Sequence, residues 1–223
     1  MAKLISTQEA ANFVEDGMTV MIGGFLGCGN PHNIIEEVVK KGVKDLTVIA
    51  NDSPATGFGL AKLIDEHRVK RLIASHVGMN QNVADQMNAG ELEVWLIPQG
   101  SLAEMIRAGG GGLGGVLTQT GLGTLVEESP LVDRKIEVDG KEYLLMKPLH
   151  ADVALINGYK VDKSGNVWYR GTTRNFNNLV ATAADTVICE ADNLVEVGEI
   201  PPEDVVTHGL FVDFIVDGGA IDG

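Results

Sequence analysis

Asp16-Gly17-Met18-Thr19-Val20-Met21-Ile22-Gly23-Gly24-Phe25-Leu26-Gly27-Cys28-Gly29-Asn30-Pro31 is the stretch on which the fold turns. Val20 to Ile22 is a short apolar run of the kind that forms a buried strand. Four glycines follow within seven residues, and Asn30-Pro31 opens a helical pattern. Glycines in that place let the backbone turn sharply and let another molecule approach main-chain N–H groups with no side chain in the way. Strand, glycine turn and helix N-terminus together make a place for an anion or a developing negative charge. The expected ligand is therefore phosphorylated, acylated or both.

Working outward, Ser6 and Glu9 have capping-box spacing, which predicts a first helix running to about Glu15 and stopping at Gly17. Asn30 suits an N-cap and Pro31 the first turn of the next helix, with Ile34, Ile35, Val38 and Val39 as its apolar stripe and Gly42 as its end. Leu46–Ala50 reads as a second buried strand, with a polar loop from Asn51 to Gly59 beyond it. The alternation continues with a helix near Leu60–Glu66, a strand Arg71–Ser75, a helix near Val83–Ala89 and a strand Leu92–Ile97. This pattern predicts an α/β fold with an open, mainly parallel sheet flanked by helices. Ligands of such sheets bind beyond the carboxyl ends of the strands. Those ends are Gly23-Gly24-Phe25, Asn51-Asp52-Ser53, Ser75-His76 and Pro98-Gln99-Gly100. The second half carries a glycine-rich stretch, Ala108–Gly115, read as an ordered close-packing loop. Beyond it Lys135–Val138 and Glu142–Met146 flank Asp139-Gly140 as a β-hairpin. Strands Asp152–Asn157 and Thr186–Glu190 and a helix near Asn178–Ala184 complete the reading, with no internal repeat and a single domain over 1–223.

The bulk numbers narrow the ligand class. Lys plus Arg number 17 against 31 Asp plus Glu, for a net charge of −14 over 223 residues. That acidity disfavours an electrostatic grip on nucleic acid or an anionic membrane. A phosphate-bearing ligand then needs local N–H groups or a basic surface supplied by a partner. No apolar run reaches membrane-spanning length, and Ser6-Thr7-Gln8-Glu9 interrupts the N-terminus before any secretory signal forms. Cys28 and Cys189 are the only cysteines, so a reducing cytoplasm is the expected location and a disulfide is not expected.

The glycine segment invites comparison with nucleotide-binding loops. Gly23-Gly24-Phe25-Leu26-Gly27-Cys28-Gly29 does not contain the G-x-G-x-x-G spacing, Asp52 lies further along than the ribose-binding acid of such folds, and no G-K-[ST] ending makes a P-loop. Cys28 and His32 could pair as thiol and imidazole, although a small residue filling a turn is the simpler role for Cys28. His32, His67, His76, His150 and His208 lack metal spacing and there is no C-x-x-C, so no metal is expected. Glu104, Glu127, Glu128 and Glu190 are possible carboxylate nucleophiles. Glu104 reads equally as a helix-start carboxylate and Glu127-Glu128 as a solvated pair. Arg107 and Arg174 read as loop-fixing residues.

Taken whole, the opening stretch resembles the signature of the A subunit of family I coenzyme A transferases. That signature is an acidic-glycine pair, two free positions, three apolar residues, Gly-Gly-Phe and then Gly-x-Pro. Asp16-Gly17, Val20-Met21-Ile22, Gly23-Gly24-Phe25 and Gly29-Asn30-Pro31 meet every required position. Further blocks resemble the same family: Leu46–Asp52, Pro98-Gln99-Gly100-Ser101-Leu102-Ala103-Glu104 with Ile106–Gly110, Thr120–Thr124 and Arg174-Asn175-Phe176-Asn177.

The resemblance implies an enzyme that moves CoA from an acyl-CoA to a free carboxylate through a glutamyl-CoA thioester, which is covalent catalysis by a carboxylate. The family carries that glutamate in a Ser-Glu-Asn-Gly tetrapeptide of the B (beta) subunit, and this chain contains none. The implied partner is a B subunit bearing the nucleophile, in a heterodimer or heterotetramer. CoA is implied as a substrate, with no separate cofactor. Gln99 is then the catalytic candidate here, its amide supporting the oxyanion; Gly23, Gly24, Phe25, Leu26, Gly27, Cys28 and Gly29 are the CoA-binding candidates, and the Gly109–Gly115 run either packs or lines the acyl site. Ala50-Asn51-Asp52-Ser53 and Ala74–Asn80 look more like the acetate/butyrate–acetoacetate type than the 3-oxoadipate type. The alternatives are a 3-oxoadipate or other 3-oxoacid transferase subunit, a non-catalytic CoA- or nucleotide-binding module, and a nicotinamide dehydrogenase subunit.

Overall fold

The Ser6 hydroxyl accepts a hydrogen bond from the Glu9 N–H while the Glu9 carboxylate accepts the Ser6 N–H, closing the expected capping box on α1 (Thr7–Ala11). The helix ends at Asn12, a turn earlier than its spacing predicts. The computed structural model describes residues 2–219; Met1 and residues 220–223 of the expected 1–223 domain lie outside them.

The remaining helices are α2 (His32–Lys41), α3 (Ala61–Asp65), α4 (Gln81–Ala89), α5 (Gln99–Gly110) and α6 (Asn177–Val180). The strands are β1 (Lys3–Ile5), β2 (Thr19–Ile22), β3 (Leu46–Ala50), β4 (Val69–Ala74), β5 (Glu93–Leu96), β6 (Val116–Thr118), β7 (Val132–Val138), β8 (Lys141–Met146), β9 (Ala151–Asp162), β10 (Val167–Trp168), β11 (Ala184–Val195) and β12 (Phe214–Asp217). The main sheet runs β1-β12-β11-β9-β2-β3-β4-β5, all parallel, with β10 antiparallel on β9. This is the open, mainly parallel sheet expected, although β9 and β11 are each twelve residues long and β1 and β12 were not anticipated. The second sheet, β6-β8-β7, is antiparallel and turns at Asp139-Gly140, both with positive φ (50° and 73°), a type I′ hairpin.

Strand β2 shows why the sheet needs helices on both faces. Val20 and Ile22 pack with Ile34, Ile35 and Val38 of α2, while Met21 between them packs with Leu102, Met105 and Ile106 of α5. Alternate residues face opposite layers, and both layers are apolar. Among the described residues no helix is long and apolar enough to cross a membrane.

Three expectations are corrected here. Helix α5 starts at Gln99, so Glu104 lies within it rather than at its start and pairs with Arg107 at 2.5 Å. Gly109 and Gly110 are the last turn of that helix, not a loop: a Cβ at Gly109 would overlap the Leu149 carbonyl, and one at Gly110 the Thr182 backbone. They sit about 16 Å along the axis from Gln99 at 1.5 Å per residue, so they pack the helix and do not line the end that carries Gln99. Glu127 is not simply solvated, since it accepts the Gly123 N–H and pairs with Lys135 at 2.6 Å.

Candidate active site

The carboxyl ends of β2, β3 and β4 and the start of α5 form one continuous rim. At its centre Phe25 and Cys28 exchange both main-chain hydrogen bonds, at 3.0 and 2.9 Å. Leu26 and Gly27 between them have φ of 50° and 84°, so the glycine segment is a tight two-residue hairpin. The side chains of Phe25 and Leu26 stand out of it, 41% and 42% exposed.

The hairpin is pinned from several sides. Its tip is held by Asp52, whose two carboxylate oxygens accept the Leu26 N–H at 3.1 and 3.0 Å. At its base the Gly24 N–H donates to Asn175 Oδ1 (3.0 Å), and Asn175 Nδ2 donates to the Cys28 carbonyl (2.9 Å). Asn177 Nδ2 donates to the Gly29 carbonyl (2.9 Å), and its Oδ1 accepts the Asn157 N–H. Asn30 does not cap α2, whose N-cap is Pro31; instead its amide donates to the Gly23 carbonyl and accepts the Leu60 N–H. This crowding explains the glycines. A Cβ at Gly23 would overlap the Asn177 amide, and one at Gly24, where φ is 124°, would overlap the Asn30 amide.

The same bonds use up most of the main-chain donors. Gly23 donates to the Leu155 carbonyl, and Gly24, Phe25, Leu26 and Cys28 donate as described. Among the described residues the N–H groups of Gly27 and Gly29 have no hydrogen-bond acceptor. Gly27 is buried and Gly29 half-buried, so what the segment presents to an incoming molecule is chiefly its exposed apolar tip.

Gln99 is the first residue of α5, at the carboxyl edge of the sheet. Its Nε2 donates to Asn51 Oδ1 at 2.9 Å, and Asn51 is itself fixed by the Ser75 hydroxyl, which donates to its carbonyl at 2.7 Å and to its Oδ1 at 3.2 Å. One amide hydrogen of the exposed Gln99 orients the side chain; the second is uncommitted.

Neither Asp52 nor Glu190 is free to act as a nucleophile beside it. Asp52 is 1% exposed with both oxygens engaged; burial pushes its carboxyl up, against the pull of the Leu26 N–H and of His76. Glu190 is wholly buried on β11, where it accepts the Asn33 N–H (3.2 Å), Asn33 Nδ2 (3.1 Å) and the Ile34 N–H (2.9 Å), capping α2 from outside. Cys28 and His32 do not form the pair considered for them. The thiol lies 3.5 Å from the Thr172 hydroxyl, while His32 stacks on Phe58 with centroids 4.9 Å apart, and burial lowers its pKa. Among the described residues no group of three or more His, Cys, Asp or Glu is placed to hold a metal ion. The asparagines at 30, 175 and 177 are the site-building residues that spacing alone did not single out.

Comparison with known proteins gives the family and the fold. The family model described as Coenzyme A transferase matches residues 4–218, and the chain belongs to that family. It is 50% identical over 215 residues to the acetoacetyl-CoA:acetate/butyrate CoA transferase alpha subunit of Clostridium acetobutylicum, covering 96% of this chain and 97% of that one. It is 48% identical to the acetate CoA-transferase subunit alpha of Escherichia coli, with 96% of each chain covered. Among solved structures, an acyl-CoA transferase of E. coli O157:H7 in a thioester complex with CoA superposes on the whole chain with a TM-score of 0.88 at 22% identity, using 49% of its own length.

Proposed function

We propose that this chain, taken over 1–223 as one domain, is the A (alpha) subunit of a cytoplasmic two-subunit CoA-transferase. It moves CoA between a short-chain acyl-CoA and a free carboxylate of the acetate, butyrate or acetoacetate kind. CoA enters as a substrate and no separate cofactor takes part. One observation carries the reading: the rim presents an oriented, half-free Gln99 amide, while Asp52 and Glu190 are buried and hydrogen-bonded. This is an oxyanion donor without a nucleophile, half of an active site.

The partner B subunit completes it. Its glutamate carboxylate attacks the thioester carbonyl, the C–S bond breaks, and CoA leaves as a thiolate from a mixed anhydride. The thiolate then attacks the glutamyl carbonyl, the donor acid leaves as its carboxylate, and CoA is held as a glutamyl thioester. The acceptor carboxylate runs both steps in reverse. Each addition puts negative charge on a carbonyl oxygen, and the free Gln99 N–H is the donor this chain offers to it. Phe25 and Leu26, at the exposed tip of the Gly23–Gly29 segment, form a wall for CoA.

The test is co-expression with the partner and borohydride trapping of the thioester. This chain alone should transfer no CoA and the label should fall on the other chain; a label on this chain overturns the division of labour. Assays of the complex with acetate, butyrate and acetoacetate define the acid pair, and preference for another 3-oxoacid would place it with that type instead.

A further inference from the structure

We propose that Asn175 is the positioning residue of the signature hairpin, its side-chain amide holding both arms at the base at once. A neutral amide can accept two hydrogen bonds and donate two, and Asn175 makes all four. Two stay within its own turn: Oδ1 accepts the Phe176 N–H at 2.6 Å and Nδ2 donates to the Thr172 carbonyl at 2.9 Å. These fix the amide plane. The other two cross to the hairpin, Oδ1 accepting from Gly24 and Nδ2 donating to the Cys28 carbonyl.

The hairpin closes without this residue, because Phe25 and Cys28 already bridge its arms. Asn175 adds direction. It ties the hairpin to the Gly171–Arg174 turn, while Asp52 ties its tip to the end of β3. With both ends held, the hairpin cannot swing as a unit. Any effect on turnover rests on the CoA-transferase reading above, so the first readout is independent of it.

Asn175→Asp is the informative change. It keeps the acceptor for Gly24 but sets a carboxylate oxygen against the Cys28 and Thr172 carbonyls. The N–H groups of Phe25 and Cys28 report on the hairpin, because each is hydrogen-bonded across it and exchanges with deuterium only when it opens. In the full chain, Asn175→Asp should retain cooperative unfolding yet raise the rate of deuterium labelling at these two amides about tenfold, the change expected when about one hydrogen bond's worth of support is lost. In the reconstituted complex, KM for acyl-CoA should rise by about the same factor, with KM for the acceptor acid unchanged. Mere loss of folded protein would lower kcat and leave both KM values alone. Labelling unchanged in a folded variant overturns the proposal. Faster labelling with unchanged KM upholds the positioning and overturns instead the placement of CoA against the hairpin. Asn175→Ala serves if the aspartate variant does not fold; if neither folds, Asn175 is a folding residue and the proposal fails.

Discussion

Replacing Glu190 by Gln should remove a defined slope from the pH dependence of stability. Glu190 is wholly buried, and burial pushes its carboxyl up to about 7 despite hydrogen bonds from Ile34 and Asn33 that pull it down, with Asp192 adding repulsion. Unfolded, the carboxyl returns to the ordinary 4.5. Between those values the folded chain holds a proton that the unfolded chain has released, so stability falls as pH rises and levels off above the folded pKa. Two and a half pH units at about 1.4 kcal/mol each make the whole effect about 3 kcal/mol. The isoelectric point near 4.7 restricts work at the acid end. From about pH 5.5 to about pH 8 roughly 2 kcal/mol of the effect remains. Urea unfolding followed by the fluorescence of Trp95 and Trp168 measures it in both proteins. Subtracting the variant cancels carboxylates whose pKa is lowered in the fold, such as Glu93 with its Arg71 partner. The stability of the native chain relative to Glu190→Gln should therefore drop by about 2 kcal/mol across that window. A difference flat to within about 0.5 kcal/mol would refute the reasoning, because Glu190 would then be ionised throughout.

Other outcomes follow from the same geometry. Gln99→Ala should cost the reconstituted complex about two to three orders of magnitude in kcat, the usual worth of one oxyanion donor, with the unfolding midpoint scarcely moved; an unchanged rate removes Gln99 from the chemistry. Gly109→Ala should destabilise by about 2 kcal/mol or more, because the overlap with the Leu149 carbonyl outweighs the gain of about 1 kcal/mol that alanine normally brings to a helix. Urea midpoints decide this, and a stabilised variant would show that the last turn of α5 can shift.

Much of the parallel half was legible because each element there declares itself locally. The Val20–Ile22 run, the α2 stripe ending at a left-handed Gly42 and the Asp139-Gly140 turn all stand where their patterns place them. What escaped depends on distant partners. β1 has three residues and β12 four; β12 is a strand because it lies between β1 and β11, and β1 because it pairs with β12. β9 runs on through Asn157 and β11 through Glu190, polar residues that look like breaks until their long-range hydrogen bonds are seen. Gln99 and the glycine segment were visible in the resemblance. The functions of Asn175 and Asn177 were not, since Asn175 bonds residues almost 150 positions away and no spacing rule reaches that far.

The proposed function requires so acidic a chain to receive anions, and the electrostatics of the rim are compatible with that. A net charge of −14 would repel carboxylates and phosphates if it were expressed at the site. Asp52 stands nearest to the hairpin, but it is turned inward, both oxygens are bound by the Leu26 N–H, and burial favours its neutral form. The residues that orient the hairpin are otherwise asparagines, which position the main chain through two side-chain hydrogen bonds at Asn30, four at Asn175 and three at Asn177 without adding charge. A carboxylate at 30 or 177 could accept the same N–H groups but would add negative charge at the base of the hairpin, where the proposed function seats the anionic CoA. On the proposed function, neutral amides at these positions and at Gln99 keep negative charge off the rim, where that proposal has the partner subunit bring the reacting carboxylate.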